Sequence, residues 1–157
     1  MKKIDLDLVN MVSSKAKISA RKRKNYNFHP VLEDPLQRML NAMEPGTYVQ
    51  PHKHENPGKT EAFLLLRGKV LVIQFDANGN ITDHSLLSKD SGNYGVEIAP
   101  GVFHTLVSLE PDSIIYEVKN GPYNPIDDKN FAPWAPTEND PSREKYIEKL
   151  LNRTLKR

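Results

Sequence analysis

His52 and His54 stand two residues apart. In an extended strand that spacing turns both imidazoles to one face, where a single metal ion can take both. Three more side chains of ligand type follow: Glu55, Glu61 and His104. Glu61 opens the apolar run Ala62–Leu66, and His104 comes directly after the turn Pro100-Gly101-Val102-Phe103. Each has an ordinary reading beside the chemical one: Glu61 as a salt-bridged structural carboxylate, His104 as a core histidine bonded to a carbonyl. An ion held from one side keeps open positions that polarise a carbonyl or hydroxyl oxygen or acidify bound water. Isomerisation or epimerisation at such a centre needs a proton-transferring group, for which Tyr48 and His29 are the candidates. Gln37 and Asn41 share one face of a candidate strand and Arg38 takes the other, so one set or the other lines a substrate site; an inward Arg38 makes an anion clamp. His84 sits in a polar hairpin strand and reads as surface. With no cysteine in the chain, disulfides and thiolate metal sites are excluded.

The elements that must position these groups are mostly short strands. Arg38–Glu44, Tyr48–His54, Ala62–Leu66, Lys69–Phe75, Ile81–Leu87, Val96–Ile98, Phe103–Ser108 and Ile114–Val118 are separated by turn residues, among them the Asn78-Gly79 hairpin signal. Pro51 restricts pairing of the second strand. This spacing predicts a sandwich or barrel. Before it, Leu8, Met11, Val12 and Ala16 fall on one helical face and predict a helix from Asp5 to about Ser19; an irregular link runs on to Pro30. After it, Pro122, Pro125, Pro133, Pro136 and Pro141 mark an extended tail with Phe131 and Trp134 as anchors. A last helix is predicted from Pro141 with Asp140 as N-cap and Ile147, Leu150, Leu151 and Leu155 as its apolar stripe.

The 157 residues suit one domain, and a net charge of +2 conceals an asymmetry. Residues 1–24 carry a net +6 and the remainder a net −4, the positive charge concentrating in Arg21-Lys22-Arg23-Lys24. That run reads either as a solvated face or as a cationic rim for a phosphorylated or carboxylated ligand. Nucleic-acid binding is not expected, because the rest of the chain is acidic and no binding motif accompanies the run. No apolar stretch approaches the roughly 20 residues of a membrane span, and Asp5 and Asp7 interrupt any signal-peptide reading, so a cytoplasmic location is expected.

Gly46, His52, His54, Glu61 and Gly68 resemble the first motif of the cupin superfamily, with six residues between His54 and Glu61 where three or four are usual. Pro100, Gly101 and His104 resemble the second, with Ser108 where asparagine is common. Within the superfamily, Arg21–Asn25, Asp34–Ala42, Pro45–Tyr48, Pro51–His54 and Phe131–Pro136 are similar to the WbuC-type cupin metalloproteins. The resemblance implies an all-β double-stranded β-helix (jelly-roll) barrel with short N- and C-terminal helices. Its layout is a single cupin domain over 1–157: a basic helical arm at 1–30, the barrel at 36–119, and a proline-rich wrap with the final helix at 120–157. It implies one divalent ion (Fe, Mn, Ni, Co or Zn) on His52, His54, Glu61 and His104, with Glu55 as the competing carboxylate. It also implies a homodimer and an association with bacterial surface-polysaccharide (O-antigen or capsule) loci. Two functions follow: a metal-dependent sugar or nucleotide-sugar enzyme of isomerase or epimerase type, or a non-catalytic module binding a carbohydrate or other small, possibly anionic, ligand.

Overall fold

The computed structural model describes residues 1–124 and 128–155. Helix α1 (Leu6–Lys17) begins at Asp5, whose carboxylate accepts the Leu8 amide at 3.1 Å, a side-chain N-cap that satisfies an otherwise orphaned donor. Ten strands follow: β1 (Arg23–Asn27), β2 (Leu36–Met43), β3 (His52–Lys53), β4 (Glu61–Arg67), β5 (Lys69–Phe75), β6 (Ile81–Ser88), β7 (Gly95–Ile98), β8 (Phe103–Ser108), β9 (Ser113–Asn120) and β10 (Asn130–Phe131). Helix α2 (Arg143–Thr154) closes the order. The strands form two antiparallel five-stranded sheets, β1-β2-β9-β4-β7 and β10-β3-β8-β5-β6. This is the jelly-roll barrel with two short terminal helices that was expected.

Period-two alternation sorts each strand's side chains. Met43, Phe63, Leu65, Val70, Val72, Leu106 and Ile115 point between the sheets and fill one end of the barrel. On the outer face of the first sheet, Leu40, Ala42 and Ile114 meet Val9, Val12 and Ala16 of α1. On the outer face of the second, Leu71, Ile73, Phe75 and Val107 meet Ala132, Ala135, Ile147 and Leu150, so α2 packs on its own chain. Trp134 anchors the tail, its ring lying 5.1 Å from that of Phe75 and 5.8 Å from that of Phe103. Phe131, the other expected anchor, is half exposed.

Three local expectations are corrected. Arg23–Asn27 is a strand, not part of an irregular link: it pairs with Met39–Met43 along the edge of the first sheet, where one flank stays open and tolerates charge on alternate positions. Only His52–Lys53 of Tyr48–His54 joins a ladder, as Pro51 can donate nothing to a sheet. Helix α2 starts two residues after Pro141, with Ser142 at its N-cap. Asp140 instead makes the turn before it, its carboxylate accepting the Ser142 amide at 2.8 Å. Pro125, read as part of the extended tail, lies outside the described residues.

Candidate metal centre and its cavity

The β3–β8 ladder sets His52 opposite His104, and His54 follows on the same face as His52. Glu61 enters from the other sheet as the first residue of β4. All four side chains are buried, and one ligand atom from each lies within 4.8 Å of all the others. Their second ring nitrogens are tied down. His52 Nδ1 lies 2.9 Å from the Gln50 carbonyl, His104 Nδ1 2.9 Å from the Val102 carbonyl, and His54 Nδ1 meets the Asp128 carbonyl. Carbonyls accept, so each Nδ1 carries the proton and each Nε2 presents a lone pair, a tautomer assigned from its partner.

Four lone-pair donors therefore converge: His104 Nε2 lies 2.9 Å and His54 Nε2 3.4 Å from the Glu61 carboxylate. Among the described residues His54 Nε2 is buried with no hydrogen-bond partner, and such a group is costly unless something occupies it. A shared cation, or extra protons, satisfies this geometry. The donor set, three imidazoles and one carboxylate, fits a borderline divalent ion, so the group could hold a metal. Burial pushes the His52 ring well below its ordinary range, with the nearby Lys129 charge and the His104 ring adding to it, which keeps the ring neutral and ready to ligate. Burial alone would raise Glu61, but the adjacent His104 and His54 rings outweigh it and hold the carboxyl well below the usual range. Glu55 lies outside the cluster, exposed and 2.5 Å from Lys53 Nζ. The insertion before Glu61 is absorbed in the loop that carries Glu55, and β4 keeps its place.

His52 and Glu61 of the cluster form one wall of a cavity of about 470 Å³, within the range of small-molecule sites. Gln37 and Asn41 line it; Arg38 faces out, 3.1 Å from Asp34. Gln37 is itself engaged, donating to the Leu32 and Asp34 carbonyls at 3.1 and 2.8 Å. His29 lines the mouth, with Nδ1 3.1 Å from the Arg38 amide. Tyr48 is not brought there: its hydroxyl donates to the Pro136 carbonyl at 2.8 Å and its ring packs beside Tyr146. Arg21, Arg23 and Lys24 stand around the same mouth, with Arg21 and Arg23 sharing Glu138.

Sequence reasoning missed Glu117 and Lys119 of β9 and Lys129 beside β10, all of which line the cavity. Asn41 donates to Glu117. Burial and the adjacent Glu61 charge push the Glu117 carboxyl up to about 8. Lys119 and Lys59 both grip the buried Asp128, at 2.8 and 2.6 Å.

A family model described as Domain of unknown function (DUF6016) matches residues 4–87, more than half of the 157. The chain belongs to that family. No curated protein matches this DUF6016 chain. Several solved structures do, and they are cupin-fold proteins. KdgF from Halomonas sp. is 17% identical with a TM-score of 0.52, the match covering 68% of this chain and 85% of KdgF. CapF with the inhibitor 3-isopropenyl-tropolone is 25% identical with a TM-score of 0.57, over 68% of this chain and 31% of CapF. The capsular polysaccharide assembling protein CapF from Staphylococcus aureus is 24% identical with a TM-score of 0.55, over 73% of this chain and 32% of CapF. This chain thus corresponds to about a third of the CapF chain. Among the described residues no helix is long and apolar enough to cross a membrane.

Proposed function

We propose that this protein binds one divalent metal ion through His52, His54, Glu61 and His104 and acts on a sugar or nucleotide-sugar in bacterial surface-polysaccharide biosynthesis. One observation carries the metal reading: four buried lone-pair donors within 4.8 Å of one another, three of them pinned by backbone carbonyls. The sugar and polysaccharide part is supported by the WbuC-type motifs and by the likeness to CapF, a capsular polysaccharide assembling protein. A bound divalent ion supplies Lewis-acid polarisation of a ligand carbonyl or hydroxyl oxygen.

The chain's own residues do the rest. The apolar floor of Phe63, Leu106 and Ile115 shields the site from bulk water. Asn41 orients Glu117 toward the cavity, and Glu117, whose carboxyl is pushed up by burial and by Glu61, is the candidate for the proton-transferring group that an isomerase or epimerase needs beside its polarised oxygen. His29 is the second candidate for proton transfer. Elemental analysis of protein purified without added metal tests the reading: about one ion per chain in the parent, little in His52→Ala or Glu61→Gln, and the parent amount in Glu55→Gln. A parent free of metal, or a Glu61→Gln protein that keeps its ion while Glu55→Gln loses it, overturns the ligand assignment.

A further inference from the structure

The cavity is richer in positive charge than its metal site requires. Three neutral imidazoles and one carboxylate leave a divalent ion with a positive charge uncompensated. Of the cations around it, Lys24 is exposed to solvent, Lys119 is engaged by Asp128, and Arg21 and Arg23 by Glu138. Lys129 is not. Among the described residues it has no hydrogen-bond or ion-pair partner, and it lines the cavity. Its position is set by β10: Phe131 pairs with His52 and Asn130 with Lys53, so Lys129 continues that register to the level of His54, on the face Phe131 shares with His52. From there its charge reaches His52, Glu61 and Glu117, while Lys119 and Arg23 repel it. Burial disfavours its charge most, the attraction of Glu61 and Glu117 offsets that only in part, and a partly buried ammonium with no direct counter-ion is unfavourable until an anion joins it.

Building on the metal reading above, we propose that Lys129 receives an acidic group, carboxylate or phosphate, of the ligand bound in this cavity, so that the ligand is an acidic sugar or sugar-like acid and not a neutral one. The ligand then spans two anchors: oxygens toward the histidine cluster and an oxyanion on the Lys129 ammonium. The mouth cations Arg21, Arg23 and Lys24 steer such a ligand inward.

Titration calorimetry at low salt with D-glucuronate, D-glucose 6-phosphate and D-glucose, on protein as purified and of known metal content, tests the assignment. The parent binds at least one of the two acids about tenfold or more tightly than glucose, the scale of one charge-assisted contact; the acid preferred identifies the group. Lys129→Met loses that preference and keeps its metal, and Lys129→Arg retains most of it. A parent with no preference for either acid, or a Lys129→Met protein with the preference intact, overturns the proposal. So does a Lys129→Met protein that folds but drops its metal, because Lys129 would then serve the ligand set and not the ligand. A parent purified without metal strikes the ligand-set reading alone, since acid preference is read separately.

Discussion

At the scale of single residues the cavity wall sets two carboxyls against each other. Glu61 is held ionised by two imidazoles, and Glu117, beside it, is pushed the other way by burial and by that ionised neighbour. Two adjacent titratable groups driven apart in this manner behave as one acid and one base. The Glu117 shift has a consequence for stability. A group whose folded pKa lies above its unfolded value binds a proton in the folded state that the unfolded chain has released, so its contribution is complete below the unfolded value near 4.5 and is lost as pH rises through about 8. For metal-stripped protein, Glu117→Gln therefore flattens the fall in stability between pH 5 and 8, by up to roughly 1.4 kcal/mol per pH unit for one whole proton. Urea midpoints of parent and variant at several pH values measure it; parallel curves would contradict the shift. The four ligand candidates were legible because type and spacing announce them. Glu117 and Lys119 were not. Glu117 sits in the expected strand Ile114–Val118, read for its apolar content, and Lys119 just past its end, yet they alternate with Tyr116 and Val118 and share a face with Ile115, and that period-two signal placed two charges on an inward face. Which of Gln37/Asn41 and Arg38 faces inward was beyond the sequence, since alternation yields two faces without saying which one is covered.

Elements were easiest to read where their pattern is strong. β5 and β8 coincide with the expected Lys69–Phe75 and Phe103–Ser108, because apolar, β-branched runs between turns have few other solutions. β1 and β10 escaped because each is polar or very short, and pairing rather than propensity makes them strands. The tail shows how one contact fixes an element. Gly79 closes the β5–β6 hairpin at φ +83°, and a Cβ there would come within 2.8 Å of the Trp134 ring. Gly79→Ala thus meets both left-handed strain and a collision with a rigid indole, whereas Gly92, at φ +71°, has open space around it. Gly79→Ala is expected to cost about 2–3 kcal/mol and Gly92→Ala about 1 kcal/mol. Trp134 is the sole tryptophan, so its emission reports directly: a red shift in Gly79→Ala and none in Gly92→Ala. Equal behaviour of the two variants would show that the ring does not rest on the hairpin.

On the scale of the whole molecule, the candidate site belongs to no single sheet. The second sheet brings His52 and His104, the first brings Glu61 and Glu117, and the segment after β9 supplies the Asp128 carbonyl that orients His54. The Asp128 carboxylate meanwhile sits between Lys59 and Lys119, all three of them buried. Removing it takes from two buried ammonium groups their nearest counter-charge, a change that costs about 3–5 kcal/mol when one partner of a buried pair is lost. Its backbone would also be freer to leave His54, and loss of such an orienting partner weakens metal binding by roughly 10- to 100-fold. Asp128→Ala is accordingly expected to lower both the melting temperature and the metal affinity. Asp128→Asn, which keeps the shape and can still accept one hydrogen bond, should lose less of each. Because an ion that binds only the folded chain adds about 2.7 kcal/mol at a hundredfold excess over its dissociation constant, chelation separates the two effects. A chelator should lower the parent's melting temperature markedly and that of Asp128→Ala by less. Equal chelator-induced shifts in both proteins would mean that the Asp128 segment braces the fold without reaching the metal, and the coupling between tail and site would have to be abandoned.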